Sequence, residues 1–356
     1  LLDFEKILSL YRNKNSYDCI VPFSGGKDSV FTLYTLVKRF KLKCLVVSFD
    51  HGFFRPKLVK NRNKIFKKLG VDNLTFSPNW KIVKKMMLES LIRKGDFCWH
   101  CHTGIFAYPM RIAIAFKIPL VIWGEPAAEY TAYYSYEDTL EENEEVDEER
   151  FNKFINLGIS SKDMKEMINL NDVDERDFEP FTYPNLRDLK KINYRSICLG
   201  SYIPWDVKKN VELIKKELNW EEDLNAGIPP EYGYEKVECQ VQGIRDYIRY
   251  LKRGYGRTAH LVAIDIRNNR ITNNEGKDLI EKYDGKKPDS LPQFLEMLNL
   301  KEEEFNNIIK NHVIYPNKPN FSDLEIGPEL KDKKEWSKND PLERNYTLRK
   351  LKEHNI

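Results

Sequence analysis

Val21-Pro22-Phe23-Ser24-Gly25-Gly26-Lys27-Asp28-Ser29 places a glycine pair, two serines, a lysine and an aspartate where an apolar strand gives way to a helix. Ahead of it, Tyr17 to Val21 reads as a short apolar strand. Behind it, Val30 to Val37 carries apolar residues at helical spacing. Two glycines let the backbone turn tightly and approach a ligand with no Cβ in the way. The N–H groups and dipole of the helix start then favour an anion. The spacing is neither that of a Walker A loop nor that of a dinucleotide fingerprint. The bland alternative is a Gly-Gly turn followed by an Asp-Ser helix cap.

Outward from this run, strands and helices alternate. A strand is expected at Leu42–Phe49, a basic helix at about Lys57–Leu69, and a short strand at Leu74–Phe76. Helices at Trp80–Ile92 and Gly104–Phe116 lead to a strong strand at Leu120–Trp123, and a last strand at Ser196–Ile203. The order implies parallel βαβ units in an α/β, doubly wound sheet. Ligands of such sheets sit beyond the carboxyl ends of the strands. Three loops therefore converge as candidates: Ser24–Ser29, then Ser48–Gly52 with Asp50, then Gly124–Glu129 with Glu125 and Glu129 spaced i and i+4.

The 356 residues carry 32 % charged side chains but a net charge of only +3, so the balance demands no nucleic-acid partner. No stretch has the run of apolar residues a membrane span needs, and no signal peptide opens the chain, so a cytoplasmic location is expected. The chain opens on Leu1 rather than methionine, as a processed or partial product would. Residues 137–149 are almost wholly acidic or polar and read as a solvated insert. Trp205-Asp206 opens an amphipathic helix at Val207–Leu218 with Asp206 as its cap, and the domain boundary is placed there. This divides the chain into a domain at 1–205 that carries the glycine-rich turn and a mainly helical substrate or partner domain at 206–356, ending in an irregular tail.

Six cysteines are too few for a disulfide scaffold, and Cys19 and Cys44 read as small core residues. Cys98 and Cys101 have the spacing of half a zinc site, with His100 and His102 adjacent. Redox or sulfur-carrier chemistry and a plain buried pair are the other readings. Lys252, Arg253 and Arg257, interleaved with Gly254 and Gly256, form a basic, flexible patch suited to an anionic ligand, or else the basic end of a helix with a glycine stop.

Ser24-Gly25-Gly26-Lys27-Asp28-Ser29 resembles the signature of the PP-loop ATP pyrophosphatases, which implies cleavage of ATP between the α and β phosphates. Five further strings narrow the likeness: Cys98 to Gly104, Pro119 to Glu125, Leu251 to Thr258, Ile264 to Asn268, and Lys282-Tyr283-Asp284-Gly285. Together they resemble the N-acetyl sugar amidotransferases of surface-polysaccharide pathways, which turn the N-acetyl group of an activated sugar into an acetamidino group. The resemblance implies ATP and Mg²⁺, a nucleotide-activated sugar, and ammonia from a separate glutaminase, with Zn²⁺ as a further candidate. It implies that Ser24, Gly25, Gly26 and Ser29 hold the pyrophosphate and that Lys27 neutralises developing charge. Asp28 is read as a Mg²⁺ ligand or a helix cap, and Asp50 as a ribose or metal contact or a turn former. Gly124 and Glu129 join the nucleotide site, and Glu125 is a metal contact or a base for ammonia. Lys252, Arg253 and Arg257 would grip the anionic sugar. The rival enzyme reading is tRNA thiolation through Cys98 and Cys101, and a third is a scaffold that binds ATP without turning it over.

Overall fold

A computed structural model describes residues 1–125, 157–168, 170–223 and 228–314. Strands β1 (Cys19–Pro22), β2 (Cys44–Phe49), β3 (Asp72–Phe76), β4 (Leu120–Trp123) and β5 (Arg195–Cys198) form one sheet, ordered β3-β2-β1-β4-β5. All four pairings are parallel, with Cys19 opposite Cys44, Ile20 opposite Val121, Leu45 opposite Asp72, and Leu120 opposite Arg195. This is the α/β sheet expected from the alternation of elements. Its central strands are buried on both faces, as parallel strands must be, whereas β3 at one edge is half exposed. Ile20, Leu45, Val47 and Val121 point to one face and pack with Ala113 of the helix α5 (Trp99–Phe116).

The remaining helices of the first half follow their sequence signals. They are α1 (Leu2–Ser9), α2 (Lys27–Tyr34), α3 (Pro56–Leu69) and α4 (Trp80–Lys94). Proline at its first position starts α3, and Gly70 in the left-handed region ends it. Further on lie α6 (Ser161–Met167), α7 (Leu186–Lys191) and α8 (Val207–Leu218). Asp206 caps α8 as its sequence suggests, accepting hydrogen bonds from the N–H groups of Lys208 and Lys209. The last strand is shorter than the expected Ser196–Ile203. It ends at Cys198, and a 3₁₀ turn at Leu199–Ser201 follows. Beyond residue 228 the described residues hold only helical elements: a 3₁₀ turn, then α9 (Gln242–Arg253), α10 (Arg257–Arg267), α11 (Asn273–Tyr283), α12 (Leu291–Leu298) and α13 (Glu302–Lys310).

Two compact units emerge, and both are discontinuous in sequence. The first comprises Leu1–Asn79, Cys101–Leu157 and Asp174–Glu222, and holds the sheet. The second comprises Trp80–His100, Gly158–Val173 and Asp223–Ile356. A single cut at 205/206 does not describe this division. Helix α8 packs on α2 in the first unit through a buried face that includes Val211, Ile214 and Leu218. Helices α4 and α6 belong with the C-terminal helices. The acidic run at 137–149 and the tail from residue 315 lie outside the described residues.

Candidate active site

The strand order reverses direction at β1. From it the chain goes to β2 and β3 on one side, then to β4 and β5 on the other. A crevice at such a switch is where open α/β sheets take ligands. The two loops that border it here are Phe23–Gly26, after β1, and Gly124–Glu125, after β4.

The first loop needs its glycines. Gly25 has φ +91°, outside the range side chains tolerate, and a Cβ there would come within 2.7 Å of Arg62 Cγ. Its shape is held by serine hydroxyls. Ser24 Oγ accepts from Gly26 N–H at 3.1 Å, and Ser29 Oγ accepts from Gly25 N–H at 3.0 Å and donates to the Gly26 carbonyl at 3.1 Å. Trp220 donates its indole N–H to the Gly25 carbonyl at 3.2 Å. Both serines thus close the turn on itself by engaging the glycine donors that the sequence assigns to phosphate.

Lys27 is buried, and its Nζ lies 2.6 Å from Asp28 Oδ2. Burial pushes the Asp28 carboxyl well above the usual carboxylate range. Lys27 offsets part of this, while the charge of Glu125 and a hydrogen bond with it push the same way as burial. Two carboxyls from opposite lips of the crevice therefore meet beside one lysine, and a proton or a cation would relieve them. Gly124 lets β4 come this close to α2, since a Cβ there would sit 2.6 Å from Thr32 Oγ1 and 3.2 Å from the Asp28 carbonyl. Glu129, the other acidic candidate of this loop, lies outside the described residues.

Asp50 is a turn former here. Its Oδ1 accepts from Gly52 N–H at 2.8 Å, and its Oδ2 accepts from Ser77 Oγ at 2.9 Å. The neighbouring His51 is buried, accepts from Phe53 N–H through Nδ1 at 3.2 Å, and has its pKa lowered to about 4, chiefly by burial.

The basic patch of the second unit is not an exposed flexible loop. Lys252 and Arg253 form the last turn of α9, which Gly254 ends at φ +80°, and Arg257 opens α10. Lys252 Nζ donates to the carbonyls of Lys94 and Gly95 at 2.9 and 3.1 Å, closing the end of α4. Arg257 is buried and paired with Asp246 at 3.2 Å. Of the three cations only Arg253 is exposed. The strings Leu251–Thr258 and Lys282–Gly285 meet through Asp284, which accepts from the N–H groups of Gly256, Thr258 and Ala259 at 2.7, 2.9 and 3.3 Å. A Cβ on Gly256 would lie 2.7 Å from Asp284 Oδ1, so this glycine makes room for the cap.

Cys98 precedes α5 and Cys101 lies in its first turn, both half-buried. Among the described residues no group of three or more His, Cys, Asp or Glu is arranged to hold a metal ion. A zinc at the cysteine pair would need ligands from outside them, so these residues alone do not fit one. Nor is any helix of the described residues long and apolar enough to cross a membrane.

Sequence reading missed Arg62 and Trp220. Arg62 was detectable, because it interrupts the apolar stripe of α3 between Leu58 and Ile65 and so falls on the buried face. Trp220 carries no local signal, since its partner lies 195 residues away.

Residues 231–350 match the family described as "LPS biosynthesis protein WbpG-like, C-terminal domain". An uncharacterized protein of Methanocaldococcus jannaschii, MJ1599, is 29 % identical over 124 residues, which cover 34 % of this chain and 43 % of that protein. The match thus spans less than half the length of that curated relative. Among solved structures, the U34-tRNA thiolase NcsA from Methanococcus maripaludis with its [4Fe-4S] cluster aligns over 90 % of both chains, at 12 % identity and a TM-score of 0.36. At that distance no argument about this chain rests on it. The C-terminal part of the chain is similar to the WbpG-like domain, and the parallel sheet that precedes it carries a glycine turn and a carboxyl pair at its switch point.

Proposed function

We propose that the chain is an ATP-dependent amidotransferase of PP-loop type that converts the N-acetyl group of an activated sugar to an acetamidino group. The observation that carries the proposal is the Ser24–Ser29 turn at the sheet's switch point, with Lys27 and the Asp28–Glu125 carboxyl pair beside it. The similarity of residues 231–350 to a domain of LPS biosynthesis proteins supports a sugar substrate over tRNA.

An acetamide oxygen is a poor leaving group, and the reaction makes it a good one. The oxygen attacks the α-phosphorus of ATP, and the bond to the bridging oxygen breaks to release pyrophosphate. Ammonia then adds to the carbon, protons pass to solvent or base, and AMP departs with the former acetamide oxygen, leaving C=NH. On this reading the glycine turn and its serine hydroxyls hold the pyrophosphate portion, exchanging their internal hydrogen bonds for phosphate oxygens. Lys27 stabilises charge that develops on the leaving group. Asp28 and Glu125, both carboxyls and both strained by proximity, suit a divalent cation. Mg²⁺ held there would neutralise phosphate charge. The other role open to Glu125 is that of the base: left free of the cation, its carboxylate would accept a proton from incoming ammonia. Ammonia is assigned to a separate glutaminase.

The test is incubation with ATP, Mg²⁺, ammonium and candidate N-acetylated nucleotide sugars, with products read by mass. Formation of AMP and pyrophosphate with a sugar lighter by about one mass unit, oxygen replaced by NH, is the expected result. ADP and phosphate would refute the PP-loop chemistry. AMP formation that requires tRNA and a sulfur donor would instead return the chain to thiolation.

A further inference from the structure

Arg62 lies at the phosphate loop and has no part in the chemistry above. It keeps only 5 % of its surface, and its stem lies directly under Gly25. The guanidinium stands 4.6 Å from the Phe54 ring, with Phe66 at 5.9 Å and Phe23 at 6.0 Å. Among the described residues it makes one hydrogen bond, from Nη2 to Thr75 Oγ1 at 3.2 Å, near the carboxyl end of β3. No carboxylate of the described residues lies within ion-pair distance of it. Burial lowers its pKa to about 10, with the charge of Asp50 pulling the other way, so the group is still charged at neutral pH.

A buried, charged arginine with no carboxylate at ion-pair distance among the described residues is costly, and replacing it with an apolar residue would ordinarily stabilise a fold. Here the charge stands at the ligand edge of the sheet, beneath the turn proposed to hold polyphosphate. We propose that Arg62 is a positioning residue, the cationic floor of the phosphate site, which supports the Gly25 turn from below and lends its charge to the phosphates above. Phe54 and its neighbours hold the guanidinium in place by cation–π contact without neutralising it. The inference rests on the nucleotide-site reading given above.

The probes are inorganic pyrophosphate and α,β-methylene-ATP, with adenosine as an uncharged control, titrated into the full chain by calorimetry alongside melting curves. Arg62→Met keeps the apolar stem and removes the charge, and it should weaken both phosphate probes roughly ten- to a hundredfold while leaving adenosine within about twofold. Arg62→Lys restores charge without the planar fork and should recover most of that affinity, even if it melts lower than the Met variant. If Met does not fold, Arg62→Gln serves in its place. Wild-type affinity in the charge-free variant, or losses in Lys and Met that match each other and follow their melting temperatures, would overturn the inference. A wild-type chain that binds neither phosphate probe would overturn the nucleotide-site reading, and the inference with it.

Discussion

Replacing Gly25 by alanine tests whether the Ser24–Ser29 turn depends on a glycine, and Gly70 supplies the control. Both have positive φ, +91° and +65°. They differ in surroundings: a Cβ at Gly70 meets nothing within 4 Å, whereas at Gly25 it meets Arg62 Cγ at 2.7 Å, Arg62 Cδ at 3.0 Å and Leu58 Cδ1 at 3.1 Å. Gly70→Ala therefore bears only the left-handed backbone cost of about 1–2 kcal/mol, partly offset by lower entropy of the unfolded chain. Gly25→Ala bears that cost and must also displace an arginine stem whose far end is fixed among three phenylalanines. Forcing a rotamer out of its well adds roughly 0.5–1.5 kcal/mol, and overpacking a further 1 kcal/mol or so. The totals are about 1 kcal/mol for Gly70 and about 2–4 kcal/mol for Gly25. For a unit of this size each kcal/mol lowers Tm by roughly 2–4 °C. Thermal melts followed by circular dichroism should place Gly25→Ala roughly 5–12 °C below wild type and Gly70→Ala within about 4 °C of it. Equal melting temperatures for the two variants would refute the reasoning, because the contact with Arg62 would then cost nothing.

Asp284→Ala should destabilise the second unit by about 2–3 kcal/mol, since it strips three N–H groups at the start of α10 of a charged acceptor; urea unfolding followed by tryptophan fluorescence checks it. His51, neutral in the fold with a pKa of about 4, contributes stability that is complete above its ordinary value of 6.5 and is lost as pH falls from 6.5 through 4. The loss should approach about 3 kcal/mol, and His51→Asn, which keeps an acceptor for Phe53 N–H, should flatten that window in a pH series of melts. Glu125→Gln removes a like charge from beside Asp28, so the Asp28 carboxyl should titrate at lower pH than in wild type, as read by carbon-13 NMR; an upward move would contradict the pairing. Arg257→Met leaves Asp246 buried without its cation and should cost about 3–5 kcal/mol in stability, whereas a substrate-gripping role would lower sugar affinity in a fully stable protein.

Much of the fold is legible in the residues alone. Apolar periodicity, a glycine pair and an aspartate cap report on contacts within about four positions, so β1, α2 and α8 with its Asp206 cap follow from their own segments. The alternation of strands and helices likewise implies a parallel sheet, and with it the edge where a ligand belongs. The fate of the charged side chains is different, because a charge takes its meaning from a partner the chain order does not reveal. Lys252 and Arg257 read as an open patch, and it is the fold that spends one on the end of α4 and the other on Asp246. Asp28 and Glu125 stand 97 positions apart and become one carboxyl pair only because β1 and β4 are neighbours in the sheet. Local periodicity determined which segments become strands and helices; the tertiary structure decided which charges are buried, paired or exposed, because burial and Coulomb energy depend on distances in space rather than along the chain.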